Sequence, residues 1–271
     1  MPELPEVEVV RRSLKASVLG KKIVSFEVVR RPGKKTRVLQ NISEEEFRSG
    51  VVGASFKDII RKGKFLIAPL TNGKSIVFHF MLTGWLNYFR SESEADEKTR
   101  RDSRLKFSFE DGSVLLFVDS RNMGRVFLVE REDFSQIGVL ARIGVEPLSP
   151  DFTFERFRKV ISESAGKTLK DFLTDQEKIA GIGNIYSDEI LRRARLRPDR
   201  RVATLTDAEI EKLYEIIPTV LKDGVAEIES GIPGHMLAWR KKGRTCPECG
   251  GEVAAVKRGT THYYWCPSCQ R

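Results

Sequence analysis

The first residues of the chain place a secondary amine beside two carboxylates. Pro2 directly follows Met1, and Glu3 and Glu6 come next. If Met1 is removed, the proline nitrogen becomes a free α-amine, whose ordinary pKa of about 7.7–8.0 leaves part of it unprotonated at neutral pH. Attack of this amine on a sugar C1′ would give an iminium directly, and a neighbouring glutamate could transfer protons. The ordinary alternative is a helix start, since proline and glutamate both favour the first helical turn.

A second candidate site lies near the end of the sequence, where the four cysteines form two Cys-x-x-Cys pairs. The pairs are Cys246 with Cys249 and Cys266 with Cys269. This spacing is typical of a structural zinc site with thiolate ligands. Disulfides are the alternative, but we expect none, because no basic-then-apolar secretory signal is evident. Four thiolates leave no open coordination position, so the predicted zinc ion would be structural rather than catalytic.

A glycine-rich turn precedes a predicted helix and forms a third candidate site. Gly181 and Gly183 would let the backbone approach a ligand, and Asn184 could donate an amide hydrogen bond to a phosphate. A simple connection between two helices is the alternative. Arginines that follow the turn favour a phosphate-facing edge; they are Arg192, Arg193, Arg195, Arg197, Arg200 and Arg201.

The composition indicates a soluble protein with a polyanionic partner. The chain has 271 residues, of which 40% are hydrophobic and 31% are charged, and its net charge is +9. No apolar stretch approaches the length of a membrane span. The positive charge favours nucleic acid as the partner, and an ordinary solvated basic surface is the alternative that charge alone leaves open.

The hydrophobic pattern predicts a mixed scaffold for these sites. Helical spacing of apolar residues predicts a helix over residues 3–19, with Gly20 as its stop. Apolar residues then recur at every second position, which predicts strands. Many short strands with hairpin turns, here at Asn72-Gly73 and Asp111-Gly112, predict an antiparallel sandwich or barrel. The predicted strands are near Ile23–Val28 and at Val51–Ile60, Phe65–Leu70, Ser75–Phe89, Leu105–Glu110, Val114–Val118 and Val126–Val129.

The second half of the chain is predicted to be helical. A charged loop is expected at Ser91–Arg104 and a linker at Ile143–Pro150. Thr206 and Glu209 form a capping-box pattern that opens a helix, which Pro218 should end or kink. The remaining helices are predicted at Phe154–Ser162, Leu169–Thr174 and Ile185–Arg195.

Four features together resemble the formamidopyrimidine-DNA glycosylase family, whose members are bifunctional base-excision glycosylases related to endonuclease VIII. They are Pro2–Glu8, Ile60–Leu66, the turn Gly181–Glu189 and the four-cysteine segment, in the family's order. The resemblance implies an α+β multidomain fold with DNA in the cleft between the domains. The implied segments are an N-terminal catalytic antiparallel β-sandwich with an N-terminal helix (1–133), a linker (134–152), a helix–two-turn–helix DNA-binding domain (153–235) and a C-terminal zinc ribbon (236–271).

The family's chemistry transfers to particular residues of this sequence. The resemblance implies that Pro2 attacks C1′ of a flipped nucleotide and displaces the base, while Glu3 handles protons at the sugar. Glu6 would hold the lesion pocket. Lys64 matches the family's lysine near the DNA backbone and the lesion, although by composition alone it is an ordinary strand lysine. The iminium would then permit β-elimination, and δ-elimination after it.

The family's phosphate contacts transfer in part. Gly183 and Asn184 match the turn that grips the phosphates flanking the lesion. The family's ribbon arginine falls on Thr261 by strict spacing, whereas Arg258 has the matching local sequence three residues earlier. Arg258 could take the DNA-binding role only if the hairpin has shifted its register.

The residues that fill the gap left by the flipped base depart from the family's pattern. Leu82 stands where a methionine is expected. Arg121 is a further candidate DNA contact. In the turn that contains it, Asn122 and Met123 stand where an arginine and a phenylalanine are expected. Leu82 and Met123 can still act as wedges, because apolar side chains separate base steps.

The sequence therefore predicts a base-excision-repair DNA glycosylase with abasic-site lyase activity on oxidised bases, chiefly ring-opened or oxidised purines. The stretch Gly224–Arg240 is shorter than in 8-oxoguanine enzymes, which leaves a preference for oxidised pyrimidines open. Two different functions also stay open: a non-catalytic damaged-DNA-binding protein, which has no need of the Pro2–Glu3 pair, and a zinc-ribbon protein that contacts RNA or protein. We expect damaged double-stranded DNA as the partner, no membrane association, a monomer, and a cytoplasmic, nucleoid-associated location of the bacterial type.

Overall fold

The N-terminal helix, α1, spans Leu4–Val18 and confirms the helix predicted over residues 3–19. Its apolar positions recur at helical spacing, and side chains such as Val7 and Leu14 are buried. Gly20 follows with φ of +74°, a conformation that glycine adopts at little cost, so the chain can turn away there. The first candidate residues therefore stand at the start of a helix with a buried apolar face.

The structure is a computed structural model that describes residues 1–30, 36–231, 238–258 and 261–271, with the backbone alone for Arg258 and Thr261. Contacts divide the chain into two units, one of residues 1–2 and 7–141, the other of residues 3–6 and 142–271. The start of α1 thus belongs to the second unit. The finer division of the chain into four segments stays a prediction.

The first unit is built from two antiparallel sheets. After α1 its elements are β1 (Ile23–Val28), α2 (Glu44–Val51), β2 (Ile60–Lys62), β3 (Phe65–Pro69), β4 (Lys74–His79), β5 (Gly84–Phe89), α3 (Glu97–Asp102), β6 (Ser103–Phe109), β7 (Val114–Asp119), β8 (Arg125–Glu130) and α4 (Gly138–Ala141). The sheet orders are β1-β6-β7-β5 and β2-β3-β4-β8. The Phe78 ring of one sheet lies 6.4 Å from Phe107 and 6.0 Å from Phe117 of the other, inside one buried cluster. The predicted antiparallel sandwich is therefore confirmed.

Three stretches of this unit differ from the prediction. The predicted strand Ser75–Phe89 is two strands, β4 and β5, because residues 80–83 form a turn between them. The predicted strand Val51–Ile60 starts as the end of helix α2, which a serine–glutamate capping box opens. The predicted loop Ser91–Arg104 contains helix α3, whose first turn is capped by the Asp96 side chain.

The second unit is helical and ends in a hairpin. Its elements are α5 (Phe154–Ser162), α6 (Leu169–Thr174), α7 (Asn184–Ala194), α8 (Asp207–Glu229), β9 (Ala254–Arg258) and β10 (Thr261–Trp265). Pro218 lies inside α8 and does not end it. A proline costs a helix interior about 3 kcal/mol. The burial of apolar side chains on both sides of it, Leu213, Ile217, Val220 and Leu221, offsets that cost.

The C-terminal ribbon has its own small core. Strands β9 and β10 pair antiparallel, with Ala254 opposite Trp265. Trp239 and Val253 are buried together with Cys246 and Cys266. The predicted ribbon hairpin is thus formed. Within the described ranges, no helix combines the length and the apolar character that crossing a membrane requires.

Candidate active site

The Glu3 carboxylate lies at the start of α7, where it accepts three backbone N–H groups. Its Oε2 atom accepts from Gly183 N at 2.8 Å and from Tyr186 N at 3.1 Å, and its Oε1 atom accepts from Ile185 N at 2.9 Å. Amides at a helix N-terminus have no partner within the helix, and the helix dipole favours negative charge there. Glu3 therefore supplies the cap that Gly183, which has no side chain, cannot supply.

The glycine-rich turn packs tightly against the start of α1. Leu4 N donates to Gly181 O at 3.0 Å. A Cβ atom at Gly181, where φ is +86°, would lie 2.7 Å from the Leu4 side chain. The Gln176 side chain spans the turn, since it accepts from Gly181 N at 3.0 Å and donates to Ile182 O at 2.7 Å. Gly181 thus allows close approach of the chain's own N-terminal segment.

Glu6 is held beside Glu3 by two hydrogen bonds. Glu3 N donates to its Oε2 atom at 2.8 Å, and Tyr186 Oη donates to its Oε1 atom at 3.1 Å. Burial raises the pKa of Glu6, against the effect of the amide bond, and the Glu3 charge raises it further. Burial likewise raises the pKa of Tyr186, so the phenol keeps the proton that it donates. A Cβ at Gly224 on α8 would lie 2.5 Å from the Tyr186 ring, so this glycine makes room for the tyrosine.

Asn184, the first residue of α7, combines an exposed side chain with an anchored backbone. Its carbonyl oxygen accepts from Lys170 Nζ at 2.7 Å and from Arg240 Nη2 at 3.1 Å. Both cations also pair with Asp188, whose side chain is fully buried one turn along the helix. The exposed amide is therefore mounted on a rigid support, as a side chain that holds a phosphate needs to be.

Most of the arginines after this turn form ion pairs, and their role at a phosphate-facing edge stays a prediction. Arg192 pairs with Glu189 at 2.6 Å and with Glu248 at 2.6 Å. Three further arginines also pair with acidic side chains, as Arg193–Asp223, Arg197–Asp199 and Arg200–Glu209. Glu248 and Asp223 are distant in the chain, so no local pattern of residues predicts the pairs that Arg192 and Arg193 form with them.

Buried polar contacts fasten the ribbon to α7. Trp239 Nε1 donates to Glu189 Oε2 at 2.7 Å, and both residues are buried. Gln270 Nε2 donates to Leu196 O at 2.8 Å, just beyond the helix. A buried donor or acceptor that loses its partner costs about 1–3 kcal/mol. The ribbon and α7 therefore share their stability.

The four cysteine sulfurs of the ribbon lie within 4.8 Å of one another. The Sγ atoms of Cys246 and Cys269 are 3.7 Å apart, and those of Cys249 and Cys266 are 3.5 Å apart. A zinc ion with Zn–S bonds of about 2.3 Å separates tetrahedral ligands by about 3.8 Å. All four cysteines are free, so the disulfide alternative is not realised. Donor type and spacing both fit a structural zinc ion.

Lys64, the predicted active-site lysine, lies in the turn between β2 and β3 and is buried. The His79 ring on β4 packs at 4.6 Å from the Phe65 ring. Burial lowers the pKa of His79 to about 4, and the positive charge of Lys64 contributes. The imidazole is therefore neutral near pH 7, and its Nδ1 atom accepts from Met81 N at 3.3 Å.

Glu8 on α1 fixes the strand that leads to this turn. Its Oε2 atom accepts from Arg61 Nε at 3.1 Å, and Arg61 Nη1 donates to Gly63 O at 3.3 Å. Burial acts to raise the pKa of Glu8, but hydrogen bonds from three arginine side chains outweigh it and lower the pKa to about 2. The helix that follows Pro2 is thereby joined to the turn that contains Lys64.

The turn that contains Arg121 and Met123 is built around Asp119, whose side chain is fully buried. Asp119 Oδ1 accepts from Arg121 N at 3.1 Å, while Oδ2 accepts from Met123 N at 2.7 Å and from the next amide at 2.6 Å. The Thr83 hydroxyl, in the turn that contains Leu82, also donates to Asp119. One carboxylate therefore joins the two turns.

Two apolar side chains remain exposed on these joined turns. Leu82 is 38% exposed and Met123 is 42% exposed. Asn122, between Arg121 and Met123, has φ of +55°, a left-handed conformation that asparagine tolerates better than most residues. Exposed apolar tips on a rigid base suit insertion between bases.

The structure gives few contacts for two of the predicted site residues, and it places several further residues at the site that the sequence did not predict. Pro2 is half-buried before α1, and the Arg258 side chain lies outside the described residues. The missed residues are Tyr186, Asp119, Lys170, Asp188 and Arg240. Asp119 could have been found, because aspartate before a short turn commonly accepts the amides that follow it.

Comparisons with known proteins agree with this fold. Residues 1–126 match the formamidopyrimidine-DNA glycosylase N-terminal domain, and residues 143–234 match the H2TH domain of that glycosylase. A formamidopyrimidine-DNA glycosylase from Pelotomaculum thermopropionicum is 34% identical and covers 100% of this chain and 99% of its own length.

Two solved structures of Lactococcus lactis Fpg are similar to this chain as well. The complex with abasic-site DNA is 28% identical, with a TM-score of 0.85 and 99% of both chains covered. The complex with FAPY-dG-containing DNA is 27% identical, with a TM-score of 0.85, and covers 99% of this chain and 100% of the other. An α+β fold of this kind, with an N-terminal proline–glutamate pair, a helix–two-turn–helix turn and a four-cysteine ribbon, defines a class of base-excision DNA glycosylases. The chain belongs to the formamidopyrimidine-DNA glycosylase family.

Proposed function

We propose that this chain is a base-excision DNA glycosylase that also cleaves abasic sites, with the amine of Pro2 as its nucleophile. The observation that carries the proposal is the Glu3 carboxylate, which follows Pro2 directly and is fixed by three amides of the turn at Gly183–Tyr186. A carboxylate placed this way leaves little freedom to the residue before it. Membership of the family supports the glycosylase activity, and the lyase step is our extension of it.

The proposed reaction proceeds through a covalent iminium. With Met1 removed, the Pro2 nitrogen attacks C1′ of an everted nucleotide, and the bond from C1′ to the base breaks as the base leaves with a proton. Opening of the sugar ring leaves a C=N bond between C1′ and Pro2. Loss of a C2′ proton then expels the 3′ phosphate, and loss of a C4′ proton expels the 5′ phosphate. Hydrolysis of the iminium restores the free amine.

Three other residues have proposed roles around the sugar and base. An ionised carboxylate has about four lone-pair sites, so Glu3 can still take a sugar proton while it accepts three amides. Glu6, whose pKa is raised by burial, would line the base pocket with Tyr186 holding its orientation. Lys64 would place a positive charge near the phosphate of the damaged nucleotide.

We propose damaged double-stranded DNA as the partner. The Lactococcus lactis proteins that this chain resembles were solved with abasic-site DNA and with FAPY-dG-containing DNA, which supports that choice. Gly183 and Asn184 would hold the backbone phosphates, and the exposed tips would fill the space left by the everted base. These tips are Leu82 and Met123, and further DNA contacts are proposed for Arg121 and, on the ribbon, for Arg258.

Ring-opened and oxidised purines are the proposed substrates, and zinc is the proposed structural ion. The matching family descriptions support the formamidopyrimidine substrate. Zinc bound to the four thiolates would stabilise the ribbon without taking part in the reaction. A chelator strong enough to remove the metal should release one zinc ion per chain and weaken binding to every duplex, because the ribbon core is small.

Borohydride trapping tests the proposal. Protein shown by intact mass to lack Met1 is mixed with duplexes that contain an abasic site, 8-oxoguanine, a ring-opened guanine, an oxidised pyrimidine or no damage. We expect a covalent adduct with the abasic and purine-lesion duplexes, and its loss in Pro2→Gly. The exposed Glu177→Gln variant serves as the matched control for Glu3→Gln, because the Glu177 side chain pairs with Arg142 at the surface.

The same panel of duplexes decides between the competing functions. Binding to damaged DNA without an adduct on any duplex would identify a non-catalytic binding protein. An adduct that forms faster with the oxidised pyrimidine than with either purine lesion would overturn the proposed substrate and retain the mechanism. An adduct of undiminished yield in Pro2→Gly would exclude Pro2 as the nucleophile.

A further inference from the structure

We infer that Arg240 is a positioning residue for the phosphate-binding turn: it holds the backbone of Asn184 and couples the ribbon to α7. The inference rests on the proposed function, because the proposed phosphate contact is what Arg240 would hold. Arg240 lies near the start of the ribbon segment, after helix α8 of the second unit in the sequence. Its side chain is only 15% exposed, which is unusual for an arginine in a loop.

The guanidinium group of Arg240 bridges two residues at the start of α7. Its Nε and Nη2 atoms donate to Asp188 Oδ2 at 3.0 Å and 2.7 Å, and Nη2 also donates to Asn184 O at 3.1 Å. A planar guanidinium can make such a forked contact, whereas a lysine ammonium acts as a point charge. The bridge therefore fixes the peptide group of the residue that carries the proposed phosphate ligand.

Two cations and two carboxylates surround this peptide group. Lys170 and Arg240 both pair with Asp188, so two cations face one buried carboxylate. Lys170 is 1% exposed and cannot reach a ligand in solvent. The Glu3 carboxylate lies on the amides of Ile185 and Tyr186 at the same helix start, so the charges balance and Arg240 acts through geometry.

The ribbon covers both of these cations with consecutive aromatic residues. Lys170 Nζ lies 5.7 Å from the centre of the Tyr263 ring, and the Arg240 guanidinium carbon lies 5.1 Å from the centre of the Tyr264 ring. Successive residues of strand β10 point to opposite faces. Two consecutive rings of the strand thus contact the two cations, so a folded ribbon supports the pair around Asp188.

An ordinary surface ion pair predicts a different behaviour. Exposed pairs contribute little and are screened by salt. Arg240 is instead mostly buried, forked and stacked, and its donors face Asp188 and Asn184. We therefore expect Arg240 to affect DNA binding through the geometry of Asn184 and not by contacting a phosphate itself.

Binding measurements on matched variants test this inference. The probe is a duplex with a tetrahydrofuran abasic-site analogue, and its Kd is measured over a series of salt concentrations for Arg240→Gln, Arg240→Lys and the control Arg244→Gln. Arg244 is an exposed arginine of the same segment. We expect Arg240→Gln to weaken binding by about tenfold, the equivalent of one charge-assisted hydrogen bond, with Arg244→Gln within about twofold of wild type.

Four further readouts separate positioning from direct contact or simple destabilisation. The slope of log Kd against log salt should stay unchanged, whereas loss of a direct phosphate contact lowers it by about 0.9. In an Asn184→Ala background, Arg240→Gln should cost less than about threefold, because the two residues act together. Arg240→Lys should restore less than half of the lost affinity, and Tyr264→Leu should weaken binding by about threefold.

Amide hydrogen exchange in the DNA-free protein separates failure of this inference from failure of the proposed function. We expect the amides of Ile185–Glu189 to exchange about tenfold faster in Arg240→Gln than in wild type. If wild type binds no damaged duplex, the proposed function fails while the exchange result still decides the role of Arg240. The inference is overturned by unchanged exchange, by full rescue in Arg240→Lys, by a lower salt slope in Arg240→Gln, or by unchanged affinity in Tyr264→Leu.

Discussion

Two carboxylates organise two turns of this protein by the same bonding pattern. Glu3 is 1% exposed and accepts hydrogen bonds from three backbone amides, one just before α7 and two in its first turn. Asp119 is 0% exposed and accepts three amides of the turn between β7 and β8. Glu3 lies 180 residues from Gly183, its first partner in the sequence, whereas Asp119 lies within five residues of its partners.

The difference lies in what each carboxylate holds in place. Glu3 joins distant segments, and the residue beside it is the proposed nucleophile Pro2. Asp119 orders a local turn whose tip carries Met123, and it also binds Thr83 from the turn that contains Leu82. The tip residues depart from the family's pattern, and Asp119 still orders the turn that carries Met123. A local anchor thus allows the tip to vary, whereas a long-range anchor fixes the reacting end.

Glu3→Gln should have the largest effect and tests the long-range anchor. Glutamine has one acceptor oxygen, and its NH₂ group would face amide donors, so buried N–H groups lose their partners at about 1–3 kcal/mol each. We expect adduct formation to fall on the order of 100-fold and the free energy of unfolding to fall by about 2 kcal/mol. Single-turnover trapping and urea denaturation measure the two effects. Trapping within threefold of wild type would show that these amide bonds are dispensable.

Asp119→Asn applies the same change to the local anchor. The amide would again oppose backbone donors, so the turn that presents Met123 should loosen. We expect excision of a damaged base to fall about 30-fold, whereas cleavage of a preformed abasic site should fall less than about fivefold, because wedging matters most when a base has to be everted. Met123→Ala is the matched control for the tip itself. Equal losses on both substrates would contradict the proposed separation of roles.

Acid should weaken the first unit through His79. Its pKa of about 4 lies below the ordinary 6.5, so the unfolded chain takes up the proton first as the pH falls. The stability from this group is complete above pH 6.5 and is lost between 6.5 and 4, by about 3 kcal/mol. The protonated ring could not accept from Met81 N, so the Leu82 turn should loosen as well.

Denaturation of wild type and His79→Gln across that pH range checks the prediction. The variant should show a flatter dependence between pH 6.5 and 4. Glu8 is an acid, and its pKa is lowered to about 2 in the folded chain. The stabilisation that it contributes is therefore lost only as the pH falls below 4.5, the ordinary pKa of a glutamate. A wild-type loss confined to the range below pH 4.5 would assign the effect to Glu8 in place of His79.

Gly224→Ala should have the smallest effect and tests the support behind Glu6. A Cβ 2.5 Å from the Tyr186 ring forces the ring to move, at about 1–3 kcal/mol. Alanine recovers up to about 1 kcal/mol as a better helix former, so we expect a net loss of about 1 kcal/mol. Gly166→Ala is the control, because a Cβ there meets no atom within 4 Å. Thermal denaturation of both variants checks the difference, and equal melting temperatures would contradict it.

Much of the fold could be predicted because its signals are local. Helix α1 follows from apolar residues at helical spacing, and the strands follow from alternation between hairpin turns. The errors arose where a local signal was overruled or overlooked. Pro218 lies within α8 because surrounding burial outweighs its cost, and α2 was missed although its serine–glutamate cap stands in the sequence.

The sequence by itself determined the residue types and spacings of the site: the Pro2–Glu3 pair, the glycine-rich turn and the two cysteine pairs. These depend on neighbours only a few positions away. The tertiary structure alone decided that Glu3 caps α7, that most of the nearby arginines face carboxylates, and that Arg240 supports Asn184. The contacts of Glu3 and Arg240, and the pairs Arg192–Glu248 and Arg193–Asp223, join residues tens to hundreds of positions apart, and only the path of the folded chain can bring their charges and donors within bonding distance.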